Sequence, residues 1–282
     1  MLKISVLLED CDAPGFGYEH GLSLLLDSDE AVILFDTGES GVFTRNAEKM
    51  GLDLGRVTEI VLSHGHHDHG NGLAGGLPCI ARKKGMRDLP PLIAHPEITL
   101  PRRFFVGVSA DCPEGWMDVG INQLSLMELG KWPTRYSRAP LWLRDKIVFL
   151  GEIPQKYPHL AVRVGETPTG PDGAFEPDRL ADDTALAYVT PKGLVIVAGC
   201  SHSGVVNIIE QARAVTGVNK VHALFGGLHF RDMAPAAIEQ SIEYLRGLEL
   251  AEVWAAHCTE HDLAGLPGQI QLKTGKIHCI DY

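Results

Sequence analysis

The chain has 282 residues, 45% of them hydrophobic and 22% charged, the balance of a folded globular protein rather than a disordered or fibrous one. Acidic residues outnumber basic ones by 36 to 25, and a net charge of −11 argues against nucleic acid or an anionic membrane surface as the partner. No apolar stretch approaches the roughly 20 residues that span a bilayer, the N-terminal apolar run is too short for a signal-peptide core, and the six scattered cysteines form no Cys-x-x-Cys pair, so reduced thiols in a cytoplasmic protein are expected.

In chain order, residues 1–9 read as a first strand that runs into an acidic pair. Residues 22–26 and 31–35 flank the turn-like Asp27-Ser28-Asp29-Glu30 and predict a hairpin whose second strand ends in Asp36-Thr37-Gly38. Residues 42–50 look helical before Gly51. The branched, apolar run 58–63 reads as a buried strand. Residues 92–95 form a short strand stopped by Pro96. Residues 99–145 mix short apolar runs with prolines and show no clear helix. Arg82-Lys83-Lys84 and Arg102-Arg103 read as solvated basic loops, with a local anion pocket as the alternative.

Residues 146–150 are a strand, and the Gly-, Pro- and acid-rich stretch 165–183 is a long loop of the kind that carries substrate contacts. Residues 185–190 and 194–198 make a hairpin around Pro191-Lys192-Gly193. Val205, Ile208, Ile209 and Ala212 recur at helical spacing, 221–225 is a strand, Pro235 opens a helix to Leu248, and 252–256 is a last strand. Strands and helices in this order fit two sheets packed face to face and covered by helices. No linker or repeat divides the chain, so one domain over 1–282 is expected.

The most informative stretch is Ser63-His64-Gly65-His66-His67-Asp68-His69-Gly70-Asn71-Gly72, on the loop leaving the 58–63 strand. So many ionisable groups among glycines have little use in a core. Imidazole suits zinc, iron and copper, and carboxylate widens the choice to harder ions. His64 and His66, two apart, suit an extended or turning backbone rather than one helix face. Gly65 permits close backbone approach and Gly70–Gly72 tight turning. Alternating His64, His66, Asp68 and His69 can serve two metals side by side.

Three later histidines share this grammar of strand, small residues, histidine: His202 in Gly199-Cys200-Ser201-His202, His229 in Gly226-Gly227-Leu228-His229, and His257 in Ala256-His257-Cys258. Gly70 to Gly75 also spells G-x-G-x-x-G, but a dinucleotide fingerprint wants its first glycine at the strand end, and the ligand-type residues intervene.

The run His64-x-His66-x-Asp68-His69 after an apolar strand resembles the metallo-β-lactamase superfamily. The resemblance implies an α/β (α+β) fold, a four-layer αββα sandwich with the metal site at one edge between the sheets. It leaves His67 as the unconstrained position. It expects a further histidine, a bridging aspartate in a Gly-Asp step and a final histidine. His257 is taken as the final histidine and His202 as a further ligand. There is no Thr-Pro-Gly-His, and Gly199-Cys200 stands where Gly-Asp is expected, so Cys200 is either a thiolate ligand or a buried small residue.

His229 is a ligand, a substrate contact or a polar lining residue. Asp36 either orients a ligating imidazole or bonds its own turn. His20 is a possible metal or substrate contact facing the cleft, His95 reads as a satisfied strand-end histidine, and His159 and His278 are left unassigned. His66 stands where the diiron redox branch carries glutamate. The expected cofactor is therefore one or two divalent transition metals, zinc before manganese or iron.

His20-Gly21-Leu22-Ser23, Phe35-Asp36-Thr37-Gly38, Gly199-Cys200-Ser201-His202, Gly226-Gly227-Leu228-His229 and His257-Cys258-Thr259 together resemble one branch. It is similar to the 7,8-dihydropterin-6-ylmethyl-4-(β-D-ribofuranosyl)aminobenzene 5′-phosphate synthases, a dihydropteroate-synthase-like activity. The resemblance implies a metal-dependent hydrolase or transferase acting on a small phosphate- or pyrophosphate-bearing molecule of pterin metabolism. The alternatives are a generic phosphodiesterase or ester hydrolase, and a non-catalytic metal-binding or sensor protein. In hydrolysis Asp68 would bind a metal and take the proton. In synthase chemistry the metals would neutralise a pyrophosphate leaving group. Arg102, Arg103 or Arg231 is a candidate for holding a phosphate.

Overall fold

The computed structural model describes residues 1–281 except positions 12, 111, 169–170, 261–262, 264 and 267–268. The first part of the chain forms β1 (Leu2–Leu8), β2 (Ser23–Ser28), β3 (Val32–Phe35), α1 (Val42–Lys49), β4 (Glu59–Val61), the one-turn α2 (His67–Gly70), α3 (Leu73–Lys84) and β5 (Leu92–Ala94). The middle adds β6 (Arg103–Phe105), β7 (Trp116–Asp118), α4 (Gln123–Leu129), β8 (Thr134–Tyr136), β9 (Leu141–Arg144), β10 (Ile147–Phe149), β11 (Glu166–Thr167) and β12 (Glu176–Pro177). The rest forms β13 (Ala185–Thr190), β14 (Gly193–Ala198), α5 (Val205–Thr216), β15 (Val221–Gly227), α6 (Pro235–Arg246), β16 (Glu252–Ala256), β17 (Gln269–Gln271) and β18 (Ile277–Ile280).

Two sheets carry the fold, ordered β18-β1-β2-β3-β4-β5-β8 and β17-β16-β15-β14-β13-β10-β9. Side-chain alternation along the strands sets the layering. Leu24, Leu26, Ile33 and Phe35 point into one core with Val195, Val197, Ala223 and Phe225 of the other sheet. Their neighbours Leu25, Val32 and Leu34 face Phe43 of α1 and Leu73, Leu77 and Ile80 of α3. On the far side, Leu194, Ile196 and Leu224 face Val205, Ile208, Ile209 and Ala212 of α5 and Ile238, Ile242 and Leu245 of α6. Strands apolar on both faces cannot leave either one in water, so the result is an αββα sandwich.

Several elements depart from expectation. Leu73–Lys84 is a helix, although its glycines and internal Pro78 mask the period; Arg82, Lys83 and Lys84 form its last turn, where cations suit the helix dipole. Gln123–Leu129 is also a helix, capped by Asn122, whose side chain accepts from the Ser125 amide. The 165–183 segment is not all loop: β11 and β12 pair and join β6 and β7 in a small third sheet.

What positions the site is strand direction. β3, β4, β5 and β8 run parallel, as do β14, β15, β16 and β17. Asp36, the His64 cluster, Cys200, His229 and His257 all follow the carboxyl ends of these strands, at one edge of the sandwich. Among the described residues, no helix is long and apolar enough to cross a membrane.

Candidate metal centre

The strand ends deliver their side chains through sharp turns. Asp36, Ser201, His229 and His257 have φ of 56°, 61°, 46° and 52°, a left-handed backbone that non-glycine residues rarely adopt. Such strain persists only where the surroundings enforce it, and it gathers at functional sites. Gly65 passes so close to the Ile98 carbonyl that an added Cβ would lie 2.3 Å from its oxygen, and a Cβ on Gly199 would lie 2.1 Å from Ser63 Oγ.

Two groups of ligand-type atoms converge, each within 4.8 Å: His64, His66 and His202 in one, and Asp68, His69, Cys200 and His257 in the other. Cys200 also lies within that distance of His202 and His229 and so sits between the groups. His64 Nε2 is 3.1 Å from His66 Nδ1, and His69 Nε2 is 3.1 Å from Cys200 Sγ and 3.3 Å from His257 Nε2. Donor atoms bound at about 2.0–2.1 Å to one tetrahedral ion lie roughly 3.4 Å apart, so this crowding suits shared cations. Both ring nitrogens of His202 are buried with no hydrogen-bond partner among the described residues. A dry imidazole without a partner is costly unless a metal takes its lone pair, so the residues fit a divalent ion.

A second layer orients the rings. Asp36 Oδ2 is 2.7 Å from His69 Nδ1, and the same carboxylate accepts from the Ser63 amide and hydroxyl, each at 2.7 Å. Ser63 Oγ is 2.9 Å from His64 Nδ1. Asp10, which sequence reasoning missed, is 2.8 Å from His257 Nδ1 and 3.0 Å from His20 Nδ1. Glu9 accepts from the His257 amide at 2.6 Å, and Asp182 from the Gly65 amide at 2.7 Å. Signals existed: Glu9-Asp10 ends an apolar strand and Asp182-Asp183 precedes another. Nothing local said which histidine they face.

Electrostatics follow from burial. Desolvation first, then the cations and imidazoles around them, hold His64, His66 and His202 well below the usual imidazole range, so these rings are neutral with lone pairs available. Burial opposes charge at His69 and His257 too, but Asp68 and Asp36 raise the first, and Asp10 and Asp68 the second. Burial works against an ionised Asp68, yet His69 and His257 keep it well below the carboxylate range. Burial raises the Cys200 thiol well above its usual value, reinforced by Cys258 and Asp68. Burial also pushes Asp183, which accepts from the Ser203 amide at 2.8 Å, up to about 7.

The other candidates fall at definite places. His20 is half-exposed at the mouth, with Nε2 3.4 Å from Asp68 Oδ2. His229 lines the cleft, its ring centroid 4.2 Å from that of His202, and burial lowers it to about 4. His67 stays outside both groups and pairs with Glu39 at 3.3 Å. His95 is buried, its Nδ1 accepting from the Glu97 amide.

Arg102 is not on a solvated loop: it is fully buried, held by Asp178 at 2.6 Å and Asp182 at 2.7 Å, and its fork is spent on them. Arg103 pairs with Glu166 and lies over Trp116 and Phe175. Of the three arginines considered for phosphate, Arg231 lines the metal cleft.

A family model described as the metallo-beta-lactamase superfamily matches residues 17–78. Over 277 residues, 92% of this chain and 87% of the relative, the sequence is 32% identical to the 7,8-dihydropterin-6-methyl-4-(beta-D-ribofuranosyl)-aminobenzene-5'-phosphate synthase of Methanocaldococcus jannaschii. A solved metal-dependent hydrolase of the beta-lactamase superfamily overlays with a TM-score of 0.80 at 24% identity, covering 100% of both chains. A diphosphatase of the PhnP family overlays with a TM-score of 0.54 at 15% identity, covering 98% of this chain and 96% of that one. These two likenesses show the fold.

Proposed function

The chain belongs to the metallo-beta-lactamase superfamily, and we propose that it is a metal-dependent transferase or hydrolase acting on a small phosphate- or pyrophosphate-bearing molecule, in a pterin-related step. The observation that carries this reading is the meeting of two ligand groups in one cleft, His64, His66 and His202 beside Asp68, His69, Cys200 and His257. We assign His64, His66, His202, Asp68, His69 and His257 as ligands that would hold zinc, with manganese or iron as alternatives, and Cys200, which stands where the family expects aspartate, as a further contact between the two groups.

Divalent metals held there would supply Lewis acidity and neutralise negative charge developing on phosphoryl oxygens. The chain's own groups do the rest. Asp36, Ser63 and Asp10 hold three imidazoles by their Nδ1 atoms, which fixes their tautomers and aims Nε2 into the cleft. Asp68 Oδ2 lies 3.4 Å from His20 Nε2 and 3.0 Å from His257 Nε2, and it is the carboxylate placed to accept a proton from an entering nucleophile. Arg231 at the cleft wall, whose Nη1 pairs with exposed Glu260 at 3.1 Å, would turn from that carboxylate to an anionic group of the substrate. The pterin assignment comes from the 32% identical relative, which is named as a synthase of that class.

The test pairs elemental analysis with two assays on the metal-loaded protein. One follows pyrophosphate release from a dihydropterin-methyl pyrophosphate in the presence of an aromatic amine; the other follows cleavage of bis(p-nitrophenyl) phosphate. Metal-dependent pyrophosphate release that requires the amine and yields the pterin–amine adduct makes the protein a transferase, and pyrophosphate release without the amine, or phosphodiester cleavage alone, makes it a hydrolase. A full metal complement with neither activity would overturn the enzymatic reading and leave a metal-binding module.

A further inference from the structure

Beside the metal cleft of about 360 Å³ lies a second cavity of about 460 Å³, and the two share His67 and Met117 in their walls. Both volumes fall within the roughly 300–1,000 Å³ of small-molecule sites. They differ in chemistry. Met117, Ile121 and Leu126 give the second cavity apolar walls. Its polar lining is mostly acidic and carboxamide, Glu39, Asn71, Asp118, Asn122 and Gln123, with Thr99 and His67 besides.

Arg102 also reaches this cavity, but Asp178 and Asp182 already occupy its guanidinium. Glu39 is engaged with His67. The Asn122 side-chain oxygen accepts from the Ser125 amide at 2.9 Å, and the Asn71 side-chain oxygen from the Asn122 amide at 2.7 Å. The Asp118 carboxylate has no such partner among the described residues. A phosphate would find carboxylates and no available cation here. An uncharged, flat ring with adjacent N–H donors would find a carboxylate that accepts two hydrogen bonds side by side, amide groups at its other edge, and thioether and aliphatic cover for its faces.

We propose that this cavity is the ring-binding subsite of a two-part substrate. It takes the donor edge of a 2-amino-4-oxo heterocycle of the pterin class on Asp118 and directs the phosphate-bearing end past Met117 and His67 into the metal cleft. The inference rests on the pterin reading above and assigns its orientation: heterocycle over β7 and the start of α4, phosphate toward the metals and Arg231. His67 and Met117 line both cavities, so the two lie side by side, and a ligand longer than either would pass over these two side chains.

The experiment titrates the metal-loaded protein with 6-hydroxymethylpterin and with 6-hydroxymethyllumazine, which carries an oxo group where pterin carries the 2-amino donor, and reads ligand fluorescence. The expected result is saturable pterin binding with lumazine weaker by about tenfold or more, the range that one hydrogen bond to a charged group supports. Asp118→Asn is expected to remove that preference, and Asn122→Ala to weaken pterin binding. Equal affinity for the two ligands, no pterin binding, or a preference unchanged in Asp118→Asn would each overturn the subsite. The ligand comparison uses the unaltered protein, so it stands even if a variant fails to fold. Selective pterin binding without metal-dependent turnover would defeat the proposed reaction and leave the subsite in place; turnover without pterin selectivity would do the reverse.

Discussion

Each of His64, His69 and His257 turns one ring nitrogen into the cleft because a hydroxyl or carboxylate holds the other. That explains why five ionisable residues within six positions do not act alike. His67 sits on the exposed side of α2 against Glu39, outside both ligand groups. His66→Ala and His257→Ala are therefore expected to lose bound metal, and His67→Ala to keep it, as read by elemental analysis after dialysis. Equal loss in all three would show the assignment to be wrong. Asp36→Asn keeps the size but removes the charge that faces His69 and the acceptor pair for Ser63. Losing such a supporting group weakens metal affinity by about 10–100-fold, measurable by competition with a chromophoric chelator. Asp36 was legible as a candidate from its place after β3. Asp10 was not, because its partner His257 lies 247 residues away.

At the level of elements, the ligand loop is held from outside itself. Arg102 donates to Asp178 and Asp182, and Asp182 accepts from the Gly65 amide between two proposed ligands. Arg102→Met would strand two buried carboxylates. Removing one partner of a buried pair costs about 3–5 kcal/mol, expected as a lowered midpoint in urea unfolding. At the end of β14, a Cβ on Gly199 would lie 2.1 Å from Ser63 Oγ and 3.2 Å from Asp36 Oδ2. Gly199→Ala is thus expected to cost about 1–3 kcal/mol as overpacking and to loosen metal, since it displaces the chain of contacts from Asp36 to His64. Strands with two apolar faces were legible, and so were α1, α5 and α6, whose periods are clean. α3 was hidden by Pro78 and its glycines, and the small third sheet by the brevity of its strands.

Across the whole molecule, stability rests on the core between the two sheets, where Phe225 is fully buried and stacks on Trp254 at 5.9 Å between ring centroids. Phe225→Ala is expected to destabilise by about 3–5 kcal/mol, read by calorimetry. Stability should also depend on pH through Asp183, whose carboxyl rises from 3.8 to about 7 on folding. The folded state then holds this proton more tightly than the unfolded chain, so its contribution to stability falls as pH rises from about 4 to 7. Urea titrations of metal-free protein at both ends of that window should show the decline, and Asp183→Asn, which keeps an acceptor for the Ser203 amide, should reduce it.

The sequence by itself determined the layered class and the histidine-rich loop, because side-chain period and ligand spacing are properties of neighbours along the chain. It also placed His202, His229 and His257 at strand ends. Only the tertiary structure decided how they divide: that His202 joins His64 and His66, that Cys200 stands between the two groups, that Arg102 is a buried clamp and not a phosphate hand, and that Asp10 and Asp182 hold the site from behind. Those are contacts between segments far apart in sequence, and they arise when parallel strands of two sheets end at the same edge.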